Sequence, residues 1–135
     1  MKRYGVAGFA AVVAIGAAGC AETPPWDANP FVHAVYFKFK SGANDAAIAD
    51  MLRDVQQLLA PIPTVKGLWA GRPAPTGNMP FVDGNYDVGL LVTFADQKGL
   101  HEYNDHPRHV EFANKYKSLV DVRVFDFSPA GDVRP

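Results

Sequence analysis

The alternation of strand and helix patterns along the chain restricts its fold more than any other feature of the sequence. Four segments combine β-branched and aromatic residues with an alternation of period two, which is typical of strands. They are residues 32–40, 64–73, 86–94 and 119–127. One helical pattern separates the first two segments, and another separates the last two. The sequence therefore predicts the order β-α-β-β-α-β, a split βαβ arrangement with one antiparallel sheet and helices on one face.

Both helical patterns have recognisable ends. Asn44 or Asp45 can cap the first helix, whose apolar residues recur at three- and four-residue steps until Pro61 stops it. Asp96 can cap the second helix, and Pro107 restarts it as a separate segment. Together with the strand order, these ends predict an α+β domain of the ferredoxin-like class.

Two strands carry further detail. Gly67 and Gly71 interrupt the second strand, which predicts bulges or a strong bend there. In the third strand, alternation places Tyr86 on the same face as Val88 and Leu90.

The first strand is apolar on both faces. His33, Val35 and Phe37 share one parity, while Ala34 and Tyr36 share the other. Because the helices can cover only one face of the sheet, the second apolar face predicts a partner. The simplest partner is a second copy of the chain, so we expect a homodimer formed through the sheet face.

The N-terminus has the pattern of a secretory signal. Lys2 and Arg3 precede an apolar run that ends in small residues before Cys20. The "AAGC" stretch resembles a bacterial lipobox, which predicts a lipoprotein signal at residues 1–19 and a lipid on Cys20. Ala17 stands where leucine is usual, so cleavage near Ala21 without lipidation and an uncleaved anchor remain as alternatives. Ala21 in place of a retention-type aspartate favours the periplasmic side of the outer membrane.

Composition indicates how the rest of the chain is divided and which partners are disfavoured. Residues 20–30 are rich in proline and predict a flexible tether, followed by one domain at 31–128 and a tail at 129–135. The single cysteine excludes an intramolecular disulfide. A formal net charge of −1 and the lack of a basic run disfavour nucleic acid as a partner. Membrane contact is expected only through the lipid on Cys20.

The segment "YNDHPRHVEF" at 103–112 holds the candidate chemistry. Tyr103 and His109 would point to different sides of an unbroken helix, but Pro107 breaks the helix so that both can face the sheet. There they would meet His33 in a common cavity, while His101 faces solvent. A neutral histidine can remove a proton from carbon beside a carbonyl, and a tyrosine hydroxyl can hold the enolate oxygen.

Apolar residues around this segment would form a cleft for a small apolar or aromatic ligand. They are Val35, Phe37, Val88, Leu90, Phe112 and Tyr116. The alternative is purely structural: a hydrogen-bonded core histidine at position 33, a helix cap at His106 and packing at Tyr103. The histidine spacing does not predict a metal site, and we expect no cofactor.

The ordered set "HAVYFKFK", "VKGLWAGRP", "YDVGLLVTF", "YNDHPRHVEF" and "VRVFDF" resembles the stress-responsive A/B barrel family (Dabb). The resemblance covers residues 31–128 and implies a homodimer whose two sheets close into an α/β barrel. It also implies pocket roles for His33, Tyr103 and His109, which match residues lining the pocket of a plant cyclase of this family. That enzyme performs an intramolecular aldol condensation.

Three function classes follow from these observations. The first is an envelope domain that binds a small apolar or aromatic molecule without chemistry. The second is a cofactor-free lyase or cyclase that uses His109 and Tyr103. The third is a cofactor-independent monooxygenase, because related dimeric barrels oxidise aromatic substrates in similar clefts.

Overall fold

The computed structural model describes residues 30–77 and 79–130. The strands are Phe31–Phe39 (β1), Gly67–Gly71 (β2), Val88–Phe94 (β3) and Val120–Phe127 (β4). The helices are Asp45–Asp54 (α1), Gln97–Asp105 (α2) and Pro107–Tyr116 (α3). The predicted signal at 1–19, Cys20 and nearly all of the tether at 20–30 lie outside the described residues.

The four strands form one sheet in the order β2-β3-β1-β4, with every neighbouring pair antiparallel. Strand β1 lies at the centre, between β3 and β4, as a split βαβ unit requires. The predicted α+β, ferredoxin-like class is therefore confirmed.

Side chains at the helix starts explain where the helices begin. The Asn44 side chain accepts a hydrogen bond from the Ala47 amide at 2.8 Å, and Asp96 accepts one from Gly99 at 2.9 Å. His106 caps α3 by accepting from the Arg108 amide at 3.2 Å. Each cap satisfies an amide that has no partner inside the helix.

Helix α1 does not end at Asp54 but continues as a wider π-helical turn over Val55–Leu59. Pro61 follows two residues later and cannot continue the helix. This turn carries Leu59 into the core, where it is fully buried. Within residues 30–77 and 79–130, no helix is long and apolar enough to cross a membrane.

Strand β2 is shorter than predicted, and the expected bulges are absent from its paired part. Its register with β3 advances one residue at a time from Gly67 opposite Thr93 to Gly71 opposite Gly89. Gly67 serves packing instead, because a Cβ there would lie 2.5 Å from the Trp69 ring. The strand interpretation missed that the small residue makes room for a large neighbour.

Tyr86 does not share a face with Val88, contrary to the prediction. Regular pairing of β3 begins only at Val88, so the backbone at Tyr86 does not continue the alternation. The Tyr86 ring instead packs edge-on against Tyr36 at 4.9 Å between centroids.

The core lies between the helices and the sheet face that carries Val35, Phe37 and Leu90. We call the opposite side, which carries Ala34 and Tyr36, the outer face. Large hydrophobic residues on that face remain about half exposed in the single chain; they are Trp69, Phe125 and Phe127.

Candidate functional site

A cavity of about 390 Å³ opens between the sheet and helix α3. Strands β1 and β4 form one wall, and α3 forms the other. Apolar side chains line most of it: Val35, Phe37, Leu59, Leu90, Phe112, Ala113, Tyr116, Val120, Val122 and Val124. Polar side chains complete the lining: His33, Tyr103, Asn104, His109, Lys117 and Asp126. The arrangement suits a ligand with an apolar body and a polar group.

The helix break places Tyr103 and His109 side by side. Tyr103 lies in the last turns of α2, and His109 lies in the first turn of α3. Extended backbone at His106 (φ −67°, ψ 135°) separates the two helices, as expected for a residue that precedes proline. The rings of Tyr103 and His109 consequently lie 4.6 Å apart between centroids.

His33 enters the same cluster from the sheet. Its ring centroid lies 6.1 Å from that of Tyr103, and its side chain is almost completely buried. Its Nδ1 lies 2.6 Å from Oδ1 of Asp126. Because a carboxylate can only accept, Nδ1 carries the hydrogen, and in the neutral imidazole Nε2 keeps the free lone pair.

His109 is oriented by its own helix break. Its Nδ1 lies 3.1 Å from the carbonyl oxygen of Asn104, which can only accept, so Nδ1 is again the donor. Burial lowers the pKa of His109, the Asn104 hydrogen bond opposes this effect, and nearby His33 adds to it. The net lowering favours a neutral imidazole whose Nε2 can accept a proton.

Tyr103 is 1% exposed, and burial raises the pKa of its hydroxyl well above the ordinary value. The hydroxyl therefore stays protonated at neutral pH and can donate a hydrogen bond. Across residues 30–77 and 79–130, the structure contains no hydrogen bond to this hydroxyl. Among the described residues, the fully buried side-chain atoms without a partner belong to Thr64 and Thr93. The Tyr103 hydroxyl therefore stays accessible from the cavity that Tyr103 lines, where water or a ligand can accept its hydrogen bond.

A second polar cluster, formed by Asp54, Lys115 and Tyr116, supports the α3 wall of the cavity. The Tyr116 hydroxyl donates to Oδ2 of Asp54 at 2.7 Å, and Lys115 forms an ion pair with the same oxygen. Burial alone would raise the pKa of Asp54, but the hydrogen bonds from Lys115 and Tyr116 outweigh it and lower the pKa. This cluster ties α3 to the end of α1 and holds the Tyr116 ring against the cavity.

The structure brings most of the predicted site residues together. His33, Tyr103 and His109 line one cavity, together with five of the six predicted apolar residues: Val35, Phe37, Leu90, Phe112 and Tyr116. Val88 is the exception, because it packs in the hydrophobic core and does not line this cavity. His101 is exposed, and His106 acts as a cap.

Asp126 was missed by the sequence interpretation. Alternation in β4 places it on the same face as Val122 and Val124, which was a usable signal. Its partner could not be read from alternation, because pairing with His33 depends on the register between β1 and β4. Within the described parts of the chain, no group of three or more His, Cys, Asp or Glu side chains is placed to hold a metal ion.

Comparisons with known proteins agree with this geometry. The sequence model of the stress responsive A/B barrel domain (Dabb) matches residues 31–129. Olivetolic acid cyclase of Cannabis sativa is 26% identical over 98 residues, which cover 72% of this chain and 94% of the cyclase.

Two solved structures show the same fold. A dimeric ferredoxin-like protein of unknown function from Thermobifida fusca has a TM-score of 0.62 at 19% identity, covering 77% of this chain and 94% of that one. The hydroxynitrile lyase from Passiflora edulis has a TM-score of 0.65 at 17% identity, covering 81% of this chain and 100% of that one. Since the family match spans nearly all of the described residues, the protein belongs to the stress-responsive A/B barrel domain (Dabb) family.

Proposed function

We propose that the protein is a lipid-anchored, homodimeric envelope protein that binds a small apolar or aromatic molecule between its sheet and helix α3. The observation that carries this proposal is the Tyr103 hydroxyl, which has no hydrogen-bond partner within residues 30–77 and 79–130 and belongs to a residue lining a cavity of mostly apolar side chains. A ligand carbonyl or hydroxyl oxygen could accept that hydrogen bond. The free Nε2 atoms of His33 and His109 could accept hydrogen bonds from a ligand hydroxyl.

The envelope location rests on the sequence before the domain. An apolar run leads directly to Cys20, and a proline-rich tether follows. The homodimer is supported by the exposed aromatic residues of the outer face and by the description of the Thermobifida fusca protein as dimeric.

Binding can be tested by filling the cavity. Val124 lines the cavity and is 47% exposed, whereas Val110 lies outside it on α3 and is 44% exposed. Native mass spectrometry of the purified full chain should detect a copurified small molecule in the unmodified protein and in Val110→Trp. Val124→Trp should lose that molecule while its melting temperature is unchanged. Equal retention in both variants would contradict binding at this cavity.

A cofactor-free lyase or cyclase is the second candidate. It is favoured by the neutral His109 base beside the Tyr103 hydroxyl and by the similarity to a protein named as a cyclase. His109 would remove a proton from carbon beside a carbonyl, while Tyr103 would donate a hydrogen bond to the developing enolate oxygen.

This chemistry has its own test. Deuterium exchange at the methyl group of acetophenone, followed by NMR, should be accelerated by the unmodified chain and not by His109→Ala. His101→Ala is the matched control, because that histidine is exposed. Binding of acetophenone without accelerated deuterium exchange would support the binding function and contradict the lyase or cyclase. Oxygen consumption with an added hydroquinone would point instead to a monooxygenase.

A further inference from the structure

The loop between β2 and β3 carries exposed apolar side chains at its tip. We use the name apolar tip for Met79, Phe81 and Val82, which are about half exposed or more. Phe81 is fully exposed and has a φ of +71°. A bulky residue rarely adopts this left-handed conformation, and such conformations persist where the surroundings or a function require them.

The loop is attached to the outer face rather than extended into solvent. Asp83 accepts a hydrogen bond from Arg123 Nη1 at 2.8 Å, and Arg123 Nη2 donates to the Asn85 carbonyl at 3.2 Å. The Tyr86 ring packs on Tyr36. These contacts hold the apolar tip beside the outer face, so a partner that covers this face also meets the tip.

The outer face offers a matching depression. A cavity of about 400 Å³ is lined by Ala34, Tyr36, Asp83, Tyr86, Arg123, Phe125 and Phe127. The rings of Phe125 and Phe127 are more than half exposed within the single chain. An aromatic side chain that entered this cavity would remove ~150–250 Å² of surface from water.

We propose that two copies pack outer face to outer face, with the apolar tip of each copy inserted in the outer-face cavity of the other. In a twofold dimer, the same patch must serve as both donor and receiver. This chain meets that condition, because Asp83, the neighbour of the tip residue Val82, lines the cavity and so places the tip beside it. The inference deepens the homodimer proposed above and rests on it.

A lipid surface is the competing occupant of the tip, and the charges argue against it. Loops and helices that lie in the bilayer interface usually carry Lys or Arg beside their apolar residues. Here the loop at 73–87 contains no Lys or Arg of its own. Its two carboxylates, Asp83 and Asp87, pair with Arg123 and Lys38 from the sheet. Phe125 and Phe127 on the outer face would also stay exposed if only the apolar tip entered a membrane.

Sedimentation of the full chain in detergent micelles tests the contact. Phe81→Ser should weaken the dimer by about tenfold or more, whereas Val110→Ser on the helix side should leave it unchanged. Circular dichroism should show both variants folded, because both side chains are exposed. An equally tight Phe81→Ser dimer would overturn the tip contact but not the homodimer. A monomeric unmodified chain would overturn both.

Photocrosslinking identifies what the tip touches. The photoreactive p-benzoylphenylalanine placed at position 81 of the full chain should form a crosslinked dimer in cells, with the second copy joined within Val120–Phe127. The same residue at position 110 should not. Crosslinks to phospholipid, to another protein or within one chain only would overturn the proposal.

Discussion

His33 Nδ1 and Asp126 Oδ1 lie 2.6 Å apart across the pair formed by β1 and β4, in which the two residues stand directly opposite each other. The carboxylate holds a hydrogen of His33 on Nδ1, so that in the neutral ring the Nε2 lone pair points away from β4. A tautomer fixed in this way is what a histidine needs in order to serve as a hydrogen-bond acceptor or base. The edge strand β4 thus contributes to the site through one polar residue in an apolar row.

Asp126→Ala should remove the preference of His33 for a hydrogen on Nδ1. The nitrogen chemical shifts of His33 in NMR spectra should change from the Nδ1-protonated pattern to a mixture. We expect a loss of about 1 kcal/mol in unfolding free energy, because the bond is charge-assisted but Asp126 is partly exposed to water. Asp121→Ala on the same strand is the control, since Asp121 is exposed and points to the other face. An unchanged His33 spectrum would refute the orienting role.

His109 should titrate below the ordinary histidine value of 6.5. Its pKa is lowered by burial, which disfavours the charged form. Since the unfolded chain then binds the proton more readily, His109 makes the fold less stable as the pH falls below 6.5. NMR titration of the ring should give a midpoint under 6.5, and His109→Gln should reduce the loss of stability in that range. A midpoint at or above 6.5 would contradict the proposed neutral base.

The Asp54 cluster should stabilise the fold at neutral pH and lose its effect in acid. The pKa of Asp54 is lowered below 3.8, so its contribution is fully present above that value and disappears as the pH falls through the folded-state pKa. Asp54→Asn should reduce the unfolding free energy by about 2–3 kcal/mol at pH 7. Denaturant melts at pH 7 and pH 2 should show that difference shrinking. An equal difference at both pH values would contradict the ionic explanation.

Lipidation of Cys20 is the prediction on location. Cys20→Ala should release the protein from the membrane fraction to the soluble fraction and abolish incorporation of labelled palmitate. Ala21→Ser is the control, because it leaves the cysteine and the apolar run intact. A Cys20→Ala protein that stays membrane-bound would show that an uncleaved anchor holds the chain.

Local sequence rules predicted the helix caps, the helix break and the inward side chains of β1, because each of these features depends on residues close together in the chain. Asp96 was identified as a cap, and the first cap was narrowed to Asn44 or Asp45, because a cap bonds to an amide two or three residues away. Pro107 predicted the break that brings Tyr103 and His109 together, since proline acts on the residue before it. The inward side chains of β1 followed from alternation alone.

Features that depend on distant residues could not be predicted in this way. Asp126 lies 93 residues from His33, and only the register of β4 against β1 makes them partners. Tyr86 was assigned to the wrong face because the start of a strand is decided by its pairing, not by its residues. Val88 was assigned to the cavity because alternation gives the face of a side chain but not which part of that face the cavity reaches.

Two tyrosines on the cavity wall provide a final, paired prediction. Tyr103→Phe removes a hydroxyl that bonds to no described part of the protein, so it should leave the unfolding free energy within about 0.5 kcal/mol while weakening ligand retention. Tyr116→Phe removes the hydrogen bond to Asp54 and should destabilise by about 1.5–3 kcal/mol, because a buried carboxylate loses a donor. Denaturant melts and native mass spectrometry of both variants measure these effects. If Tyr103→Phe destabilised as much as Tyr116→Phe, its hydroxyl would belong to the core rather than to the binding site.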